Sequence, residues 1–274
     1  MIKHYLLTGD CHREFSRFNN LNTNSEETAI IVLGDFSVDY YLNNNDKKRK
    51  YELCDKGFTY YIVRGNHEQR PELIDGITTI YDDVVKGNVY VHPDFPNIKY
   101  FLPWGIYTIA GYKCLEIGGA YSIDKWYRLA RYGIYDDKAN IPKRTGWFND
   151  EQATPNEMQE CFEAVQGQHF DFVFTHTCPT SFQPTDLFLK GIDQSSVDST
   201  MEQWLEQLKD NIDWKVWCFG HYHQNRIELP YVEQYYTDME DLDVIQNRWN
   251  NYKLTGELDW WLLKSPKFDN FKIL

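Results

Sequence analysis

Positive charge is scarce in this chain: 28 lysines and arginines stand against 41 aspartates and glutamates over 274 residues, a formal net charge of −13. A general nucleic-acid binder usually carries a basic face, so nucleic acid is not expected as a partner. No apolar run reaches the roughly 18 residues that a membrane-spanning helix needs, and no charged-then-apolar leader opens the chain. Six cysteines, Cys11, Cys54, Cys114, Cys161, Cys178 and Cys218, form no C-x-x-C pair. The expectation is a soluble, reduced, cytoplasmic protein with no membrane partner. What the chain does have is 42% apolar content, enough to bury one large core, and α/β folds of this length are often one domain.

Five short segments carry the chemistry: Asp10-Cys11-His12, Gly34-Asp35, Gly65-Asn66-His67-Glu68, a lone His176 and Gly220-His221-Tyr222-His223. They supply seven oxygen and nitrogen ligands and one extra histidine, the inventory of a two-metal hydrolase site. Divalent cations of this class, manganese, iron, zinc or similar, take carboxylate, carbonyl and imidazole ligands, and two ions about 3.5–4 Å apart need a carboxylate between them. Asp35 is the natural bridge. Cys11 and Cys178 flank this set and read as small packed residues.

Each segment follows a short apolar run rich in β-branched and aromatic residues: Leu6-Leu7-Thr8, Ala29 to Leu33, Tyr60 to Val63, Phe170 to Thr175 and Val216 to Phe219. Such runs read as strands buried on both faces of a sheet. In open α/β sheets ligands gather beyond the carboxyl ends of strands, where every candidate ligand here is placed. Glycine immediately before Asp10, Asp35, Asn66 and His221 suits tight turns.

At these residues the chain resembles the calcineurin-like metallophosphoesterase family, whose pattern runs D-x-H, G-D, G-N-H-[ED], H and G-H-x-H. The resemblance implies that Asp10, His12, Asp35 and His223 hold one metal ion, and that Asp35, Asn66, His176 and His221 hold the other. It implies that His67 does not ligate but lies beside the scissile phosphate and assists the leaving group. Two such ions would supply hydroxide from a shared water for in-line attack on phosphorus, since bound metal lowers a water pKa from about 15.7 to about 7. It also implies an α/β fold of two packed mixed β-sheets flanked by helices, a four-layer α/β/β/α sandwich. Gly118-Gly119-Ala120-Tyr121-Ser122-Ile123-Asp124 resembles a segment of small bacterial and phage members, and Ser122 or Asp124 is a candidate contact to the site.

Arg64-Gly65-Asn66-His67-Glu68 is similar to the protein serine/threonine phosphatases, which typically continue D-x-H with glycine and carry G-D-x-V-D-R-G at the second segment. Here Arg13 follows His12, and Gly34-Asp35 runs into Phe36-Ser37-Val38-Asp39-Tyr40 without the phosphate-clamping arginine. A small phosphate ester is therefore favoured as substrate over a phosphoprotein, with Arg13 as one replacement clamp. Two other readings stay open, a catalytically silent protein-binding module of the same fold and a nuclease.

Residues 1–236 are expected to form the catalytic domain, with 121–153 as a cap insertion and 237–274 as an extension packed on the same domain. Between Asp124 and Phe148 the insertion carries Lys125, Arg128, Arg131, Lys138, Lys143 and Arg144 against three acids, so Arg128, Arg131 and Arg144 are candidate substrate contacts. Thr154-Pro155-Asn156-Glu157 is a capping box opening a helix, and Ser199 with Glu202 repeats the pattern ahead of an apolar stripe through Met201, Leu205 and Leu208. Tyr107-Thr108-Ile109 and Tyr112 to Ile117 flank Ala110-Gly111 as a hairpin. Asp238-Met239-Glu240-Asp241 reads as an acidic loop, followed by Trp249, Trp260 and Trp261 that close the fold. Lys47-Lys48-Arg49-Lys50 reads as a solvated face, and His4, His92 and His169 as ordinary histidines.

Overall fold

The computed structural model describes residues 1–132, 147–188, 195–228 and 231–257. In chain order, β1 (His4–Thr8), β2 (Thr28–Val32), β3 (Thr59–Ile62), β4 (Thr78–Asp82), β5 (Gly87–Val91) and β6 (Ile98–Phe101) build one sheet. The second sheet takes β7 (Trp104–Ile109), β8 (Tyr112–Ile117), β9 (His169–Thr175), β10 (Asp213–Phe219), β11 (Arg226–Glu228) and β12 (Val232–Gln234), after which β13 (Met239–Asp241) returns to the first. The orders are β13-β1-β2-β3-β6-β5-β4 and β11-β12-β10-β9-β8-β7. Both are mixed, with β1, β2, β3 and β6 parallel in one and β8, β9, β10 and β12 parallel in the other.

The period-two alternation of a strand decides the layers. Leu7, Ile31 and Tyr61 of the first sheet meet Phe172, Phe174, Val216 and Cys218 of the second in one cluster between the sheets. Their neighbours Leu6, Ile30 and Tyr60 point the other way, toward Leu53 of α1 (Asn44–Cys54). The outer face of the second sheet, with Val173 and Trp217, is covered by Met158, Cys161 and Val165 of α3 (Pro155–Val165) and by Met201, Leu205 and Leu208 of α4 (Thr200–Lys209). Among the described residues, α2 (Lys125–Tyr132) and α5 (Leu242–Thr255) complete the helices, and none is long and apolar enough to cross a membrane. The result is the expected four-layer α/β/β/α arrangement.

The β7–β8 hairpin turns at Ala110 and Gly111, both in the left-handed region (φ 53° and 85°), the conformation that matches strand twist in a tight hairpin. α3 carries both halves of its capping box. α4 does not use Ser199: Asp198 Oδ1 accepts from Thr200 N at 3.0 Å and Thr200 Oγ1 at 2.6 Å, while Glu202 is drawn to Thr177 Oγ1 beside His176. Two further expectations are corrected. The acidic stretch is not all loop, because Met239–Asp241 pairs antiparallel with the otherwise free edge of β1. The basic run is not all solvated, since Lys50 is buried on Asp39 at 2.6 Å and Arg49 donates to the Arg13 carbonyl at 2.9 Å. Trp249 enters the inter-sheet core, whereas Trp260 and Trp261 lie outside the described residues.

Candidate metal centre

Five of the parallel strands end on one side of the sandwich, and the candidate ligands follow them directly. The chain there turns too tightly for ordinary backbone. His12, Asp35, His221 and His223 all have positive φ (45°, 48°, 67° and 54°), a region that costs a non-glycine residue roughly 1–3 kcal/mol each. Glycine clears the space between them. A Cβ on Gly34 would overlap the His176 ring at Nδ1, and one on Gly220 would overlap Asp10 Oδ1.

The carboxylates are held by backbone. Asp10 Oδ1 accepts from His221 N and Asp35 Oδ1 from His67 N, both at 2.8 Å. Glu68 Oε1 and Oε2 accept from Gly65 N at 2.7 Å and Ser37 N at 3.0 Å, tying the third ligand loop to the second. Arg17, which sequence reasoning missed, donates to the carbonyls of Asp10 (2.8 Å) and Tyr236 (2.6 Å). Tyr236 in turn stacks on His223, with ring centroids 4.9 Å apart. No spacing in the sequence signals the Arg17–Tyr236 contact, which joins residues 219 positions apart.

Three groups of side chains bring their ligand atoms within 4.8 Å of one another: Asp10, His12 and His223; His12, Asp35 and His67; Asp10, Asp35 and His176. His12 Nε2 and His223 Nε2 are 2.8 Å apart, with Asp10 Oδ2 at 3.6 and 3.2 Å from them. On the other side His176 Nε2 is 3.4 Å from Asp35 Oδ1 and 2.8 Å from Asn66 Oδ1. His221 stacks edge-on against His176 at 5.0 Å.

This donor set fits divalent cations. Nδ1 of His176 sits 2.7 Å from the Leu33 carbonyl and donates to it, which leaves Nε2 as an acceptor facing the Asn66 oxygen. Two acceptors at that distance are reconciled only by a positive charge, a proton or a metal ion. Asp10 Oδ2 is buried and accepts no hydrogen bond from the described residues. Buried polar atoms are normally paired, so a buried carboxylate oxygen that accepts no hydrogen bond and faces two imidazoles is suited to a cation.

Electrostatics points the same way. Burial works against the charged forms of Asp10 and Asp35, yet the neighbouring imidazoles overcome it and hold both below the usual carboxylate range. Burial likewise opposes a charge on His176, but Asp35 carries it up to about 9. His221, half-buried and next to that charge, is pushed down to about 3 by desolvation and by His176 and stays neutral, the form in which imidazole ligates.

Around this centre the other candidates separate. His67 Nε2 lies 3.8 Å from Asp35 Oδ2 and 3.3 Å from Arg128 Nη2. Arg128 is braced by Asp124 (2.7 Å from Nε) and by the Tyr40 hydroxyl (3.1 Å from Nη1). Arg13 turns to Asp46 at 2.5 Å and the Ser37 carbonyl at 3.2 Å. Arg144 lies outside the described residues, as do Lys138, Lys143 and the Arg131 side chain. Ser122 Oγ accepts from Asn66 Nδ2 at 2.7 Å. Cys11 and Cys178 are buried.

A family model described as calcineurin-like phosphoesterase matches residues 3–225, which span all the ligand segments. No curated protein matches the chain.

Proposed function

The chain belongs to the calcineurin-like phosphoesterase family, and from that premise we propose that it is a two-metal hydrolase of small phosphate esters. The observation that carries the reading is the overlap of three groups, Asp10 with His12 and His223, His12 with Asp35 and His67, and Asp10 with Asp35 and His176, each within 4.8 Å, with the Asn66 amide oxygen 2.8 Å from His176 Nε2 and the His221 ring against His176. Asp10, His12, Asp35 and His223 hold one ion; Asp35, Asn66, His176 and His221 hold the other. Such ions, manganese, iron or zinc among those the donor set suits, supply a water-derived nucleophile and neutralise phosphoryl oxygens.

The chain's own residues do the rest. Arg128, fixed by Asp124 and Tyr40, presents Nη2 beside His67 and offers a charge-assisted hydrogen bond to a phosphoryl oxygen, worth about 1.5–3 kcal/mol. His67 Nε2 is the atom from which a proton passes to the leaving oxygen. Burial, with Arg128 adding to it, pulls the His67 pKa down, so the anionic substrate is what draws a proton onto the ring. The buried Asp10 and Asp35 are fixed from behind by main-chain N–H groups, which holds the site in shape without substrate. Six unbridged cysteines suit a reducing compartment such as the cytoplasm.

The test is turnover of a panel of phosphomonoesters, phosphodiesters and nucleotides by manganese-loaded protein. Hydrolysis of one class above the rest is expected, with inversion at phosphorus in a chiral thiophosphate ester. A protein that carries two ions and cuts none of the panel would overturn the enzymatic reading.

A further inference from the structure

An asparagine side chain has two ends of similar shape and opposite chemistry, and only its oxygen serves a cation. For Asn66 the deciding contacts lie behind the ligand. Asn66 Nδ2 is 2.7 Å from Ser122 Oγ, and Ser122 Oγ is 2.6 Å from Glu151 Oε2. Ser122 N also donates to Glu151 Oε1 at 2.9 Å. All three side chains are buried.

A serine hydroxyl owns one hydrogen. A carboxylate can only accept, so Ser122 gives that hydrogen to Glu151 and shows Asn66 nothing but lone pairs. Asn66 must answer with its NH2, and its oxygen is thereby turned toward His176 Nε2, which itself lies 3.4 Å from Asp35 Oδ1. We propose that Glu151 and Ser122 are positioning residues that set the polarity of the Asn66 amide and keep its oxygen aimed at the second metal position. The inference rests on the two-ion reading above.

Glu151 is itself fixed. Its carbonyl accepts from Arg64 Nη1 at 2.6 Å, and the carbonyls of Asp150 and Gln152 accept from Arg70 Nε and Nη2 at 3.0 and 2.8 Å. Arg64 and Arg70 flank the Gly65–Glu68 ligand loop in sequence, so the loop grips the segment that orients its own asparagine. Ser122 and Glu151 stand near opposite ends of the 121–153 stretch. The root of that stretch thus bears on the metal centre.

Glu151→Gln tests this with almost no change of shape. Glutamine can donate to Ser122 Oγ, which frees the serine hydrogen for Asn66 and favours the amide turned with NH2 toward the metal. Outer-shell changes of this kind typically weaken metal binding about 10–100-fold. We expect that loss at the weaker of two manganese sites, read by equilibrium dialysis with elemental analysis, and an unchanged unfolding midpoint in chelator. In an Asn66→Asp background the same change should cost nothing, because a carboxylate has no wrong way round. Equal affinity with and without Glu151→Gln, or an undiminished loss in the Asn66→Asp background, overturns the relay. Wild-type protein that takes up a single ion overturns the two-ion reading and the relay together.

Discussion

His67 and Arg128 touch each other at 3.3 Å but are asked for different things, and single substitutions separate them. His67→Ala removes the proposed proton donor and keeps the seven proposed ligands, so turnover should fall about 10²–10⁴-fold, most for poor leaving groups, while elemental analysis should still find two ions. Loss of an ion would make His67 a ligand. Arg128→Gln should lower kcat/KM by roughly tenfold to a hundredfold, the equivalent of about 1.5–3 kcal/mol, again with metal content unchanged. A direct contact resists screening, whereas exposed charges more than about 10 Å away are largely screened at 0.1 M salt. The Arg128→Gln deficit should therefore persist at high salt, and a deficit that vanishes there would assign the residue only a distant field.

At the scale of elements, α4 offers the sharpest check on local chemistry. Asp198 rather than Ser199 satisfies the first-turn donors of this helix, so Asp198→Ala should cost about 1 kcal/mol of stability and Ser199→Ala little, as read by urea denaturation. The reverse order would restore the serine cap. The contrast also marks what the sequence could and could not reveal. The strand-to-ligand junctions at Asp10, Asp35, Asn66, His176 and His221 were legible because apolar runs end abruptly in Gly-Asp, Gly-Asn, His or Gly-His, a local pattern. Ser199 with Glu202 has the spacing of a capping box, but spacing does not say which oxygen reaches the donors, and Glu202 has a better partner in Thr177. Met239–Asp241 was opaque for a related reason: its pairing is set by the free edge of β1, not by its own acidic composition. The link from Asn66 through Ser122 to Glu151 spans 85 positions and leaves no periodic trace.

For the whole molecule, the residues after the second sheet tie the two sheets together through a buried charge cluster. Arg248 pairs with Glu240 and lies 3.6 Å from Glu233, while Trp249 Nε1 and Tyr235 Oη donate to Glu233 at 2.7 and 2.5 Å. One guanidinium serves two buried carboxylates, so burial, with Glu233 adding to it and Arg248 opposing it, pushes Glu240 up to about 8. A carboxyl whose folded pKa is raised holds its proton more tightly folded than unfolded, so its contribution is complete below about pH 4 and is lost as pH climbs to 8, on the order of 1 kcal/mol per unit. Wild-type stability should therefore decline between pH 5 and 8 in denaturant titrations, and Glu240→Gln should flatten that slope. An identical slope in both would mean that Glu240 is already ionised at pH 5.

The left-handed backbone at His12, Asp35, His221 and His223 has an evolutionary consequence. Heat selection on metal-free protein rewards relief of strain and is blind to chemistry, so a library passed through it should accumulate glycine and asparagine at these four codons and yield robust, inert survivors. The same library heated with manganese present should keep Asp35 and the three histidines, because ion binding favours the native state and offsets the strain.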